Sequence, residues 1–330
     1  MQRRTIYGAL LLAAILHTTA AAGQAAQAQD YAIYPAGTTT AGTNNAVMMA
    51  GMIDALSNAD IVFIGEQHDY KQGHALELEI LRALHTRSPK TALSLEMFER
   101  DTQIVLDEYL AGSINESSFL QASRPWPNYK TDYRPLIEYC KEQRLPVVAA
   151  NAPRRYVNIV SRKGQIALSE LPKSSRAFLP PLPYGMELPP EYDRQLNEIF
   201  GSAHDDAAAK STKTNAAAAP APGMPTTEHL KQAQALWDDS MKDSILRFVR
   251  ANRGVKVVQM NGAMHSDSKY GIVDRLRKAA PRLKIMNISI HPDTDYANAS
   301  TGRLAAKYVG VADFVVLGRP DPPITEEKKP

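Results

Sequence analysis

The sequence predicts an α/β protein: a mostly parallel sheet with flanking helices and a helical cap inserted over the carboxyl edge of the strands. Three observations carry this. Short apolar runs such as Ile61-Val62-Phe63-Ile64 and Val255-Lys256-Val257-Val258-Gln259-Met260 read as strands buried on both faces. Stretches with helical spacing alternate with them, as crossovers between parallel strands require. Where the runs stop, residues that bear chemistry follow at once: Glu66 and His68, Glu96, Asn151 and Arg154, and Asn261 and His265.

In chain order, Arg3 and Arg4 followed by the apolar Leu10 to Leu16 and the small-x-small triplet Ala26-Gln27-Ala28 predict a cleavable signal peptide over 1–28. The mature chain then starts near Gln29 in the periplasm. No cysteine lies near the cleavage point, so this reading excludes a lipoprotein. Residues 29–46, polar and rich in Gly and Thr, read as a flexible lead-in. A single α/β domain is expected over 47–318, with residues 319–330 as a disordered tail.

Within that domain a helix is expected from Val47 to Leu56, and the first strand follows. Gln72 to His85 reads as an amphipathic helix with Leu76, Ile80, Leu81 and Leu84 on one face, and with His74 and His85 as solvated or rim residues. Further strands are expected at Thr91–Leu95, Pro146–Ala150, Val255–Met260, Leu283–Ile290 and Phe314–Leu317. Two segments fall outside the alternation, 99–145 and 155–252, and are read as the cap. The second holds a stretch at 207–227 that is rich in Ala, Pro and Thr and too poor in large apolar residues to pack, and is read as a mobile loop.

Formal charge is +3, two units of it from Arg3 and Arg4, and no basic cluster appears, which argues against nucleic acid as a partner. Cys140 is the only cysteine, so no internal disulfide can form.

Parallel strands deliver their carboxyl ends to one edge, so Glu66, His68, Glu96 and His265 are expected to share a crevice there, with Asn151 and Asn261 beside them. Two His and two carboxylates can hold a divalent metal such as Zn or Mn. The same set works without metal if a carboxylate orients a histidine that activates water. Arg154 suits an anionic group. The cap supplies Tyr129, Tyr133, Tyr139, Tyr156, Tyr184 and Tyr192 with Trp126 and Met186. A tyrosinate can ligate ferric haem, and an apolar wall with arginines suits a porphyrin and its propionates. Tyr133, Arg154, Tyr184 and His204 are therefore the candidate haem-binding residues. No Cys-x-x-Cys-His is present, so haem is not attached covalently.

Several stretches together resemble the ChaN-like haem-binding family, part of the superfamily that includes the Tiki metalloproteases and the erythromycin esterases. They are Phe63-Ile64-Gly65-Glu66-Gln67-His68, Leu95-Glu96-Met97-Phe98-Glu99-Arg100, Asp132-Tyr133-Arg134-Pro135-Leu136, Val148-Ala149-Ala150-Asn151-Ala152-Pro153-Arg154, Trp237-Asp238-Asp239-Ser240-Met241 and Asn261-Gly262-Ala263-Met264-His265. The resemblance implies an envelope protein of haem or iron uptake, with haem held by a tyrosine, as a stacked pair at a homodimer interface. An outer-membrane haem receptor or a periplasmic transport protein would be its partner. It also implies that Glu66, His68, Glu96 and His265 match the superfamily's metal or hydrolytic positions, so a metal-dependent peptidase or esterase is the alternative. Family members are often lipoproteins, and here the chain departs.

Overall fold

The computed structural model of the protein describes residues 30–37, 45–211, 225–296 and 304–322, the side chains of 202–211 excepted. The expected signal peptide, most of the 207–227 stretch and the tail beyond residue 322 lie outside the described residues.

The chain opens with β1 (Tyr31–Pro35), α1 (Met49–Leu56), β2 (Ile61–Glu66), α2 (Lys71–Arg87) and β3 (Thr91–Glu99). Then come α3 (Gln103–Leu110), α4 (Glu116–Ser123), a π-helical turn at Tyr129–Tyr133, α5 (Arg134–Gln143) and β4 (Val147–Asn151). Next are α6 (Arg154–Lys163), α7 (Lys173–Arg176), α8 (Pro190–Ser211) and the long α9 (Thr227–Ala251). β5 (Lys256–Gly262), α10 (Gly271–Ala279), β6 (Ile285–Pro292) and β7 (Phe314–Gly318) complete it.

These strands form one sheet in the order β1-β7-β6-β2-β5-β3-β4. Every pairing is parallel except that of β1 with β7. β2 lies between β5 and β6 and is buried at all its positions, which is why its sequence is an unbroken apolar run rather than an alternation. Its last residues, Gly65 and Glu66, pair with Asn261 and Gly262 of β5. Two of the predicted strand ends are thus neighbours in the sheet.

One sheet face is covered by α1 to α5, whose Ile80, Leu84, Leu106, Phe119 and Leu136 pack with Val62, Leu93 and Val258 in one core. The other carries α9 and α10, where Met241, Ile245, Ile272 and Leu276 meet Ile61, Phe63 and Val257.

Two expectations are corrected. Residues 31–35 belong to an edge strand, not a flexible lead-in. Ile33 enters the large core, while Ala32 and Tyr34 face the opposite way onto Leu304, Tyr308 and Val315. The segment 99–145 is for the most part a wall of the main core rather than a cap over the strand ends. Tyr109, Phe119, Tyr129, Tyr133 and Ile137 are buried in the same cluster as Leu93, Leu95 and Val147. The 155–252 segment has a small core of its own, in which Tyr156, Val160, Leu168, Leu179 and Tyr184 pack against Leu236 of α9.

Candidate functional site at the carboxyl edge

Glu66 ends β2 fully enclosed, and its two oxygens face different neighbours. Oε1 accepts from the Tyr133 hydroxyl at 2.6 Å and lies 2.7 Å from Nδ1 of His68. Oε2 looks toward Nδ1 of His74 at 3.8 Å. Burial, with the nearby Glu77 carboxyl adding to it, pushes the Glu66 pKa up to about 8, although His68 and His74 pull the other way. His68 stands two residues beyond the strand, its side chain 46% exposed and its Nδ1 anchored by Glu66. Burial draws its pKa down, but the bond to Glu66 and the charges of Glu96 and Glu66 outweigh that and raise it.

His68 packs over Gly262. A Cβ at Gly262 would stand 2.8 Å from both Cε1 and Nε2 of the imidazole and 3.7 Å from Glu96 Oε2. The glycine in the downstream Gly-x-x-His thus leaves the upstream histidine room to lie close over it; any side chain there would push the His68 ring aside.

Glu96 lies inside β3 at the point where pairing with β5 has stopped at Leu95 and Met260. Its carboxylate turns across to β5, taking the Gly262 N–H at 2.8 Å on Oε2 and facing Nε2 of His265 at 3.5 Å on Oε1. His265 sits in a single 3-10 turn after β5, with Nδ1 2.6 Å from Oδ1 of Asp238 on α9. Burial alone would hold the Glu96 carboxyl neutral, yet His265, His68 and the Gly262 amide bring its pKa down to about 2. Burial likewise opposes the imidazolium of His265, but Glu96 and Asp238 raise its pKa to about 10. At neutral pH this is a buried ion pair. A histidine that keeps its proton is a poor metal ligand and a poor base.

The structure thus places Glu66, His68, Glu96 and His265 in one chain of contacts. Glu66 and His68 stand 2.7 Å apart, and Glu96 and His265, 3.5 Å apart, form an ion pair. Asn261 is buried, bonded to the Gly262 carbonyl and Ser266, while Asn151 turns back on the Ala152 amide. Neither points a donor at His68. Arg154, largely exposed, lies over the Trp126 ring at 5.5 Å, and Trp126 in turn meets His68 edge-on at 4.9 Å. His68, Trp126 and Arg154 thus make a continuous surface: a nitrogen base, an aromatic wall and a cation.

Tyr133 and Tyr184 are buried with their hydroxyls engaged. Tyr133 donates to Glu66, and Tyr184 donates to the Gln232 carbonyl at 2.9 Å. Burial pushes both phenols well above their ordinary pKa, further for Tyr133 beside Glu66. In this structure both hydroxyls are committed to the protein interior. His204 lies on α8, and its side chain is outside the described residues.

His74 and Glu77 are the residues that sequence reasoning missed. Both are buried, and His74 is no rim residue. Its Nδ1 is 3.1 Å from Oε2 of Glu77, and its Nε2 is 3.2 Å from the His68 carbonyl oxygen. The available signal was the position of Glu77, on the same α2 face as Ile80, Leu81 and Leu84, where an unneeded carboxyl would be costly. Burial raises the Glu77 pKa to about 8, against the lowering effect of its bond to Glu66.

Titratable residues gathered where β2, β3 and β5 end lie at the edge where open parallel sheets place their ligand sites. The chain belongs to the family described as haem-binding uptake, Tiki superfamily, ChaN, whose model matches residues 52–276. The structure is similar to ChaN of Campylobacter jejuni, solved with cofacial heme, at a TM-score of 0.60 and 18% identity, over 88% of this chain and 97% of that one. It is also similar in outline to an erythromycin esterase in its open conformation, at a TM-score of 0.42 and 13% identity over 84% and 80% of the two chains. Among curated sequences it is 24% identical over 254 residues to Protein RETICULATA-RELATED 5, chloroplastic, of Arabidopsis thaliana, covering 74% of this chain. The chain spans about a third of that relative's length, 32%.

Proposed function

We propose that this protein binds haem on the surface made by His68, Trp126 and Arg154, and serves haem or iron uptake in the periplasm after export by a cleavable signal peptide. The observation that carries the reading is His68. Its Nδ1 is fixed by the buried Glu66 carboxyl while the ring itself is open to solvent, as a nitrogen donor to a haem iron would need to be. Trp126 would give the porphyrin an apolar wall, and Arg154 a cation for a propionate. Bound haem supplies a ferric centre that takes one such donor. A flat apolar group over an exposed side chain leaves one face wet on a single copy, which supports a homodimer closing over it. An outer-membrane receptor or a periplasmic transport protein would then take up or deliver the haem.

Hemin titrated into purified protein should saturate; uptake that rises without a plateau sinks the reading. His68→Ala then identifies the donor. Loss or shift of the Soret band puts the iron on His68. An unchanged tyrosinate-type spectrum puts it on a tyrosine, and Tyr270, partly exposed at the start of α10 on the same edge, fits that role.

One arrangement favours a second reading, a hydrolase acting on esters or peptides. A carboxylate on Nδ1 of a solvent-open histidine is the geometry of a general base and its orienting group. Turnover of a model ester that vanishes in His68→Ala would support it, and identical rates in both proteins would exclude it.

A further inference from the structure

Beneath that surface lies a cluster the haem reading does not use. Glu66, His74 and Glu77 are all buried, and each offers a ligand atom within 4.8 Å of the other two. Among the described residues this is the group of three such donors that converges; the quartet Glu66, His68, Glu96 and His265 does not. We propose that Glu66, His74 and Glu77 hold one divalent first-row transition cation, such as Mn(II), Fe(II) or Zn(II). The site is distinct from the Glu96–His265 ion pair and shares Glu66 with the haem-facing surface.

Three features point there. Oε2 of Glu66 and Oε1 of Glu77 are enclosed and have no hydrogen-bond partner outside the Glu66–Glu77 pair, a costly state once both carboxyls are ionised in an apolar core. The imidazole of His74 is oriented from behind. Its Nε2 lies 3.2 Å from the His68 carbonyl oxygen, which fixes the proton on that nitrogen and turns the Nδ1 lone pair toward the carboxylates. Once both carboxyls are ionised, a lone pair facing them is repulsive, and a cation on which all three converge relieves the conflict in place of the protons. Spacing agrees as well. Two donors each about 2.1 Å from one ion stand roughly 3–4 Å apart. Nδ1 of His74 lies 3.1 Å from Oε2 of Glu77 and 3.8 Å from Oε2 of Glu66.

One nitrogen with two carboxylates suits first-row divalent ions rather than Ca(II), which prefers more oxygens. Tyr133 closes the site from the side, with its ring edge-on to His74 at 5.0 Å and its hydroxyl on the other oxygen of Glu66. Asp132, at 3.8 Å from His74 Nε2, gives the imidazole a carboxylate behind it. Glu66 joins the two halves: one oxygen would serve the ion while the other orients His68.

The inference needs no haem and is tested without it. Full-length mature protein is stripped with a chelator, reloaded with Mn(II) and desalted, and its metal is counted by mass spectrometry. About one ion per chain is expected. Glu77→Gln, nearly isosteric, and His74→Ala should each weaken Mn(II) at least about tenfold, whereas His68→Ala should keep it. Thermal melting checks that each variant is folded. Pulsed EPR on the Mn(II)-loaded wild type gives a reading that depends on no variant of the site: coupling to a single imidazole nitrogen, retained in His68→Ala. Metal below about a tenth of an equivalent in the wild type would show that the carboxyls hold protons instead, and would overturn the proposal. So would loss of Mn(II) in His68→Ala with retention in a folded Glu77→Gln.

Discussion

His265 is held between Glu96 and Asp238, and its charge is what these carboxylates require. Removing one member of such a buried pair leaves the other uncompensated, at a cost of about 3–5 kcal/mol. His265→Gln should therefore lower the melting temperature by well over 5 °C at pH 6, roughly what such a loss implies. The pH dependence has a definite sign. The folded pKa is raised to about 10 from an ordinary 6.5. The stability contributed by the charge is thus complete below about 6.5 and fades as pH rises toward 10. The gap between wild type and His265→Gln should shrink across that window, as read by denaturant melts; a gap that widens contradicts the ion-pair assignment. Gly262 makes a different prediction. Its φ of −53° suits any residue, so an alanine there meets only the His68 ring. Because that ring is half exposed and can swing out, Gly262→Ala should cost about 1 kcal/mol or less. It should nonetheless break the 2.7 Å contact with Glu66, seen as a changed imidazole shift by NMR.

At the scale of elements, β1 shows what the sequence concealed. Tyr31–Pro35 is five residues long, set among Gly- and Thr-rich neighbours, and its partner β7 lies almost three hundred residues away. Nothing local marks such an edge strand, whereas β2 and β5 are legible because burial on both faces writes a continuous apolar run. If residues 29–46 were a loose lead-in, Ile33→Ala would cost nothing. With Ile33 in the core, it should cost about 2–4 kcal/mol by denaturant melts. The site divides in the same way. Glu66, His68, Glu96 and His265 were legible because each follows a buried strand, and topology alone brings their positions together. His74 and Glu77 were not, because a helix histidine and glutamate look like surface residues until the packing of α2 shows which face they occupy. Tyr133 and Tyr184 were legible as aromatic residues, but their hydrogen bonds inward were not, since a phenol's orientation depends on neighbours from other elements.

For the whole molecule, parallel strands carry the chemistry to one edge, and the segments after β2, β3 and β4 decide what that edge can bind. Above the sheet lies a surface of imidazole, indole and guanidinium; beneath it, Glu66 connects that surface to His74 and Glu77. The central claim is that haem docks on the surface side, over His68. The most direct test is a hemin titration, followed at the Soret band, of the wild type against the double variant Trp126→Ala and Arg154→Ala. Arg154 is largely exposed while Trp126 is partly buried against the main core, so thermal melting is run alongside to show that the double variant is folded. The account predicts saturable binding in the wild type and affinity lower by at least about tenfold in the double variant, since an aromatic wall and a charged contact are each worth roughly 1 kcal/mol or more. Saturable binding of equal strength in the two proteins would put haem elsewhere and contradict it.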